Sequence, residues 1–336
     1  MINWVGRLGA IATAAILTLA TPAHADSRMD IERAFDNALG SEMRGPRTYD
    51  NPLEARIAAL ANASEGRIGV AAVDLSSGHT LDVLGTQRFP MASTSKIAVA
   101  ATFLEGVDQG RWSLTSEFPL MIPLSSAKHS SAVAPVRKGN YMAARDLIEI
   151  MITRSSNPAT DALLAVVGGP RAVNDWARGA GISDFQINRD IATLVRDDGE
   201  VDPATVIDPR DSATPLAMTQ MLAGLYQGKW LSPRSRSVIM GAMSRTITGK
   251  RRIPALMPAD ARVSHKTGSL YNTSSDIGII ETPDGRAMAV AIYVTGQGTR
   301  LNRERRIASI ARAIYDGYSS RQFAFNAQDR NKARAR

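Results

Sequence analysis

The chain contains no cysteine at all. That excludes a disulfide framework, a thiolate metal site and a lipid attached to a cysteine behind an export signal. Histidine is nearly as scarce, with four in 336 residues. Beyond position 25 only His79, His129 and His265 remain, far apart in sequence, and no H-E-x-x-H pattern occurs. No zinc centre is therefore expected, nor any other metal or cofactor, and no local motif suggests a Ser-His triad. Long apolar runs are missing too. The longest, Leu8 to Leu19, is too short to span a bilayer.

That run is informative in another way. Arg7 precedes it and Thr21-Pro22-Ala23-His24-Ala25 follows, ending in an A-x-A pattern. The reading is a cleavable signal peptide over 1–25, cut after Ala25, with a periplasmic or secreted product and no stable membrane insertion afterwards. The net charge of +8 is largely peripheral. Arg7 carries one unit and 321–336 carries four, since that stretch holds five basic residues and Asp329. The remainder, +3, is unremarkable for a soluble domain, and 321–336 reads as a basic disordered tail. Nothing resembles a nucleic-acid module, so a nucleic-acid partner is not expected.

Between these ends, 26–320 is long enough for one large domain built as two lobes. Asp30 to Ala63 reads as helical with a break between Pro46 and Pro52. Strands are expected over Arg67–Leu75 and Thr80–Leu84, separated by the turn Ser76-Ser77-Gly78. A long helical stretch follows from about Ser93 to Tyr226. Three strands return at 262–267, 275–281 and 287–294, with Thr282-Pro283-Asp284-Gly285 as a hairpin turn. A closing helix over 303–318 shows Ile307, Ile310, Ala311 and Ile314 on one face. The order predicts an α+β fold in which a five-stranded antiparallel sheet is flanked by terminal helices and interrupted by an inserted all-helical lobe. The α/β lobe would take about 50–90 and 230–320, and the helical lobe about 91–229. A pocket is expected between them.

Three short motifs carry chemistry. Ser93-Thr94-Ser95-Lys96 opens an apolar helical run, so Ser93 and Lys96 share a face and the amine can approach the hydroxyl. A serine needs such a neighbour to become nucleophilic, and a helix start offers N–H groups to developing negative charge. S-x-x-K alone is common, and Ser125-Ser126-Ala127-Lys128 is a second copy, discounted because no apolar helix follows it. Ser155-Ser156-Asn157 falls in a turn between two helices, where a hydroxyl can relay protons and an amide can bind a lysine and a carbonyl. His265-Lys266-Thr267-Gly268-Ser269 falls on a strand, with Lys266 and Gly268 on one face, Thr267 on the other, and Gly268 admitting a ligand close to the backbone.

In this order and at these spacings the three motifs resemble those of class A β-lactamases and penicillin-binding proteins, over about Asp30 to Tyr318. Phe89-Pro90-Met91-Ala92-Ser93, Arg210 to Pro215 and Ile292 to Gly296 belong to the likeness. The resemblance implies a serine hydrolase that forms an acyl-enzyme with β-lactams and hydrolyses their amide. Ser93 would be the nucleophile, Lys96 the acylation base and Ser155 the proton relay to the leaving nitrogen. Lys266 would hold the substrate carboxylate, assisted by Thr267, Gly268 and Ser269, and Asn157 would bind Lys96 and the substrate amide. The backbone N–H groups of Ser93 and Ser269 would form the oxyanion hole. Arg303 or Arg305 would add a guanidinium. The partner is a small-molecule β-lactam or a peptidoglycan stem peptide, and a monomer is expected.

Two departures from the family pattern stand out. Ser156 replaces the middle Asp of the second motif. More consequential, the E-x-x-L-N that supplies the water-activating glutamate in class A enzymes is absent from Asn188 to Glu200, and the glutamate position falls near Ile191. Asp190 is the substitute considered first, with Asp197, Asp198 and Glu200 behind it, and an Arg189–Asp211 ion pair is expected across the loop neck. Without a deacylating carboxylate, the alternative is a penicillin-binding D-Ala-D-Ala carboxypeptidase or endopeptidase. A third reading is a non-hydrolytic wall-binding or sensor module.

Overall fold

The computed structural model describes residues 51–319. The signal-peptide reading, the helix expected before position 51 and the basic tail lie outside the described residues. The first helix, α1 (Pro52–Leu60), begins with Pro52 at a position where a missing N–H costs nothing, and the Asn51 side chain caps it by accepting from the Leu53 amide. Strands β1 (Ile68–Asp74) and β2 (Thr80–Val83) form the first hairpin.

A short strand β3 (Phe89–Pro90) then leads into a 3-10 turn, Ala92–Ser95, and the buried helix α2 (Lys96–Asp108). The inserted lobe contains α2, α3 (Ala144–Thr153), α4 (Asn157–Val167), α5 (Gly169–Gly179), α6 (Ile191–Arg196) and α7 (Pro215–Gln227). It is not wholly helical, which corrects the expectation. Strands β4 (Glu117–Pro123) and β5 (Val136–Ala143) pair as a ribbon, and β6 (Phe185–Gln186) and β7 (Ser212–Ala213) join β3 in a small three-stranded sheet. Helix α8 (Pro233–Ser244) leads back to β8 (Arg262–Leu270), β9 (Thr273–Glu281), β10 (Ala287–Thr295) and the closing helix α9 (Arg300–Ser319).

The main sheet has the order β2-β1-β10-β9-β8, and each pairing is antiparallel. The α+β expectation with five antiparallel strands and terminal helices is met. Alternation along β10 explains why the strand is buried throughout. Met288, Val290, Ile292 and Val294 pack with α1 and α9 on one face, while Ala287, Ala289, Ala291 and Tyr293 face the other core. Ile307, Ile310 and Ile314 supply the apolar stripe of α9, each fully buried. Burial stabilises each such side chain by about 2 kcal/mol relative to exposure. Strand β8 is left at the sheet edge. One side of its backbone is therefore open toward the turn that carries Ser93.

Candidate active site

Ser93 lies in the 3-10 turn, one residue before the buried pair Thr94 and Ser95, whose hydroxyls cap the turn by donating to the Met91 and Ala92 carbonyls (2.8 Å each). A 3-10 turn repeats every three residues, so Ser93 and Lys96 align more closely than on an α-helix. Ala92, just before Ser93, has φ +49°, a left-handed conformation that costs a non-glycine residue about 1–2 kcal/mol. Ser155 has φ +58°. Two of the three backbone segments that converge here thus carry strain, the pattern of a site held in place by its surroundings.

Ser155 and Asn157 straddle the start of α4. Ser156 caps that helix by accepting from the Ala159 amide at 3.4 Å, so the departure from Asp leaves a capping oxygen in place. Lys96 Nζ donates to the Ser155 carbonyl (2.8 Å), Ser155 Oγ (3.3 Å) and Asn157 Oδ1 (2.7 Å). Lys266 Nζ donates to Ser155 Oγ (2.9 Å) and to the Thr267 carbonyl (2.8 Å). Four of the motif residues, Lys96, Ser155, Asn157 and Lys266, are therefore one hydrogen-bonded network drawn from both lobes. Among the described residues, the Ser93 hydroxyl has no hydrogen bond and stays half-buried beside the network.

Both lysines are fully buried. Burial disfavours their charged forms. It lowers the Lys96 pKa to about 7, against a smaller upward pull from Asp161. It also pushes Lys266 well below the ordinary lysine range, with the charge of Lys96 acting in the same direction.

The β8 motif meets the Ser93 turn at Gly268. A Cβ there would lie 2.4 Å from Ser275 Oγ and 2.6 Å from the Met91 carbonyl oxygen, so only glycine allows the strand this close. Lys266 and Gly268 face the inserted lobe, as the alternation predicts. Thr267 points the other way, its hydroxyl 2.8 Å from Thr248 Oγ1. Ser269 is exposed at the mouth, and its hydroxyl accepts from Arg252 at 2.6 Å.

Arg252 was not anticipated. It is 1 % exposed and also donates to the Gly268 and Ser275 carbonyls, both at 2.7 Å, and toward Glu304 at 3.3 Å. Its guanidinium is the one that backs the Lys266 strand. Arg303 instead binds the Gly296 carbonyl (2.9 Å), Asn272 and Ser274, and Arg305 is exposed on α9. Asp276 supports this corner. Its carboxylate meets His265 Nδ1 at 2.9 Å and accepts from the Ile253 amide at 3.1 Å, which fixes the chain just after Arg252.

The loop over the site, 187–211, is closed at its neck as expected. Arg189 Nε donates to Asp211 Oδ2 at 2.7 Å, and the Asn188 and Arg189 amides donate to Asp211 Oδ1. Ile191 is buried and starts α6. Asp190 caps that helix, accepting from the Thr193 amide at 2.7 Å. The other loop carboxylates also have partners. Asp197 pairs with Arg196, Asp198 accepts from the Tyr271 amide (2.9 Å), and Glu200 pairs with Arg210 (3.1 Å). Lys128 of the discounted second S-x-x-K donates to the Asp198 carbonyl and so belongs to the loop's support.

A carboxylate does lie beneath Ile191, on a different element. Asp161 stands one turn after Asn157 on α4 and is 6 % exposed. It accepts from the Ile191 amide (2.7 Å) and the Ala192 amide (2.8 Å). Burial raises its pKa to about 6; those two N–H bonds pull it down, and the Asp190 charge pushes it further up. The i, i+4 spacing from Asn157 was the available signal in the sequence.

The chain is similar to known proteins in sequence and in fold. The sequence model of the β-lactamase enzyme family matches residues 52–318. β-Lactamase CTX-M-8 of Citrobacter amalonaticus is 31% identical over 271 residues, covering 80% of this chain and 90% of that protein. CTX-M-25 of Escherichia coli is 32% identical over the same length and shares. Among solved structures, a mutant of the last common ancestor of Gram-negative class A β-lactamases superposes with a TM-score of 0.68 at 33% identity, over 80% of this chain and 99% of that one. A β-lactamase from Chitinophaga pinensis gives 0.70 at 28% identity, covering 80% and 100%. A family match across the whole described body, together with relatives above 30% identity over four-fifths of the sequence, shows that the chain belongs to the class A serine β-lactamase superfamily.

Proposed function

We propose that this protein is an exported serine β-lactamase, with Ser93 as its nucleophile and no metal or cofactor in the reaction. The observation that supports it most is the Ser155 hydroxyl shared by two buried lysines beside the Ser93 turn. Losing one proton costs Lys96 one of its three donated hydrogen bonds and frees a lone pair for the Ser93 proton, and a pKa near 7 makes that neutral form abundant at neutral pH. Ser93 Oγ then attacks the lactam carbonyl, and the oxyanion forms against the backbone N–H groups of Ser93 and Ser269. As the oxyanion collapses and the lactam C–N bond breaks, Ser155 Oγ gives its proton to the leaving nitrogen and recovers one from the Lys96 ammonium beside it. Lys266 and the Ser269 hydroxyl, backed by the buried Arg252 guanidinium, form the end that takes the substrate carboxylate, with Thr267 and Gly268 shaping the strand, and Asn157 holds the acyl amide. Water then cleaves the acyl-enzyme.

A second reading is favoured by one observation, the apolar Ile191 where the resemblance places a water-activating glutamate. Asp190 is occupied as a helix cap, which leaves it poorly placed for that task. If no group replaces it, the acyl-enzyme persists and the protein acts as a penicillin-binding D-Ala-D-Ala carboxypeptidase or endopeptidase on stem peptides. Nitrocefin turnover followed together with intact mass separates the two. Steady colour with little adduct supports the β-lactamase. A single burst with a stable adduct, lost in Ser93→Ala, supports the peptidase. Neither colour nor adduct removes Ser93 from the nucleophile's role. Among the described residues no helix is long and apolar enough to cross a membrane. Export itself is tested by mass and N-terminal sequence of the protein recovered outside the cytoplasm.

A further inference from the structure

Beside the carboxylate end of the site lies an open cleft of about 570 Å3, lined by Ile247, Gly249, Lys250, Arg251, Arg300 and Glu304 among others. Its floor is continuous with the Lys266 strand. Thr248, between two lining residues, shares a hydrogen bond with Thr267 (2.8 Å), and a Cβ on Gly249 would lie 2.3 Å from the Thr267 methyl and 3.5 Å from the Arg252 stem. Gly249 has φ +72°, so the chain turns there at little cost and brings Lys250 and Arg251 around the rim.

The charge in this cleft is one-sided. Three cations face a single carboxylate, Glu304. Its Oε1 already receives Arg252 at 3.3 Å and Arg300 at 3.1 Å, so its charge is shared between the buried guanidinium behind the strand and Arg300, and is not available to Lys250 and Arg251. Lys250 and Arg251 are exposed and have no ion pair among the described residues. The 20-residue helix α9 begins at Arg300 with no acidic residue in its first turn, which directs its positive end into the same space.

We propose that this cleft is a subsite for an anionic substituent carried next to the substrate carboxylate, read chiefly by Lys250 and Arg251. The inference rests on the β-lactamase reading above, which fixes where the carboxylate sits. In a cephalosporin the heterocycle on the ring carbon beside the carboxylate extends past Thr267, across Thr248 and Gly249. A sulfonate or carboxylate on that heterocycle then reaches the two free cations. The acylamino side chain, bound at Asn157 across the site, stays out of the cleft.

Cefamandole and cefonicid test this, because they share the mandelamido side chain and differ only in a neutral methyl against an anionic sulfomethyl group on the tetrazole. The double variant Lys250→Gln/Arg251→Gln should lower kcat/KM for cefonicid by about fivefold, from two partly exposed ion pairs, and leave cefamandole within about twofold. In the unmodified protein, added salt should depress cefonicid turnover more than cefamandole turnover. The charge reversal Arg251→Glu should deepen the cefonicid loss. Equal effects on both substrates, or on neither, overturn the subsite while leaving the β-lactamase reading intact. Failure of the unmodified protein to react with either substrate removes that reading itself, and the subsite with it.

Discussion

Lys96 and Asp161 are charges that the fold makes uncomfortable, and each therefore reports on pH. In the mechanism proposed above Lys96 is neutral when it accepts the Ser93 proton, and burial brings its pKa to about 7. The acid limb of kcat/KM should accordingly bend near pH 7, with activity lost about tenfold per unit below it. Asp161 raises the Lys96 pKa through its charge. Asp161→Asn removes that charge, so the limb should move to lower pH; an unmoved limb would mean that Lys96 is not the titrating base. For Asp161 itself the folded pKa, about 6, lies above the ordinary carboxylate value. The native state thus binds protons more tightly than the unfolded chain, and this group's contribution favours folding below the ordinary value and is lost as pH rises through 6. Gly268 is constrained by contact rather than charge. Gly268→Ala should push β8 off the Ser93 turn and cost about a hundredfold in kcat/KM, while the circular dichroism spectrum stays native.

At the scale of elements, the loop 187–211 is the piece whose stability the sequence sets apart from the core. It is held by the Arg189–Asp211 neck, by Asp161 under α6 and by Asp198 on the Tyr271 amide. Arg189→Ala leaves Asp211 with backbone partners only. It should lower the local opening free energy of the loop by about 2 kcal/mol, seen as faster amide exchange over 191–208 with the main sheet unchanged. The neck was legible in advance because Arg189 and Asp211 flank the loop in sequence. Asp161 was not: it is the one charged residue of α4, its spacing from Asn157 marks only a shared face, and only the fold shows that α6 lands on it. The β4–β5 ribbon was missed for a related reason. Pro119 and Pro123 interrupt its first strand, and no period-two alternation survives there. The strands of the main sheet were legible because their apolar runs are short and bounded by turns. Each extends within a few residues of its expected limits.

Across the whole molecule, the two lobes meet where Lys266 of the sheet touches Ser155 of the insert, and Arg252 locks the sheet side of that meeting. It binds carbonyls of β8 and β9 and the Glu304 carboxylate of α9. In sequence it is the third of three consecutive basic residues, and nothing local marks it as the buried one. Arg252→Ala should leave Glu304 and two carbonyls short of partners. We expect a stability loss of about 3 kcal/mol, a Tm lowered by about 5–10 °C, and weakened binding of every substrate bearing the ring carboxylate. A variant with unchanged Tm would show that the arginine is not integral to this junction.

The crowding of Lys96 and Lys266 around one hydroxyl has a thermodynamic consequence. A pocket that depresses the Lys266 amine at rest weakens its hold on a proton, and a bound carboxylate beside it restores its preference for the charged state. Substrate binding near neutral pH should therefore draw a proton from solution. Calorimetric titration of the Ser93→Ala protein with a β-lactam, repeated in buffers of different ionisation enthalpy, would measure that uptake as a slope. A flat line would mean that the amines keep their protonation state when the ligand arrives.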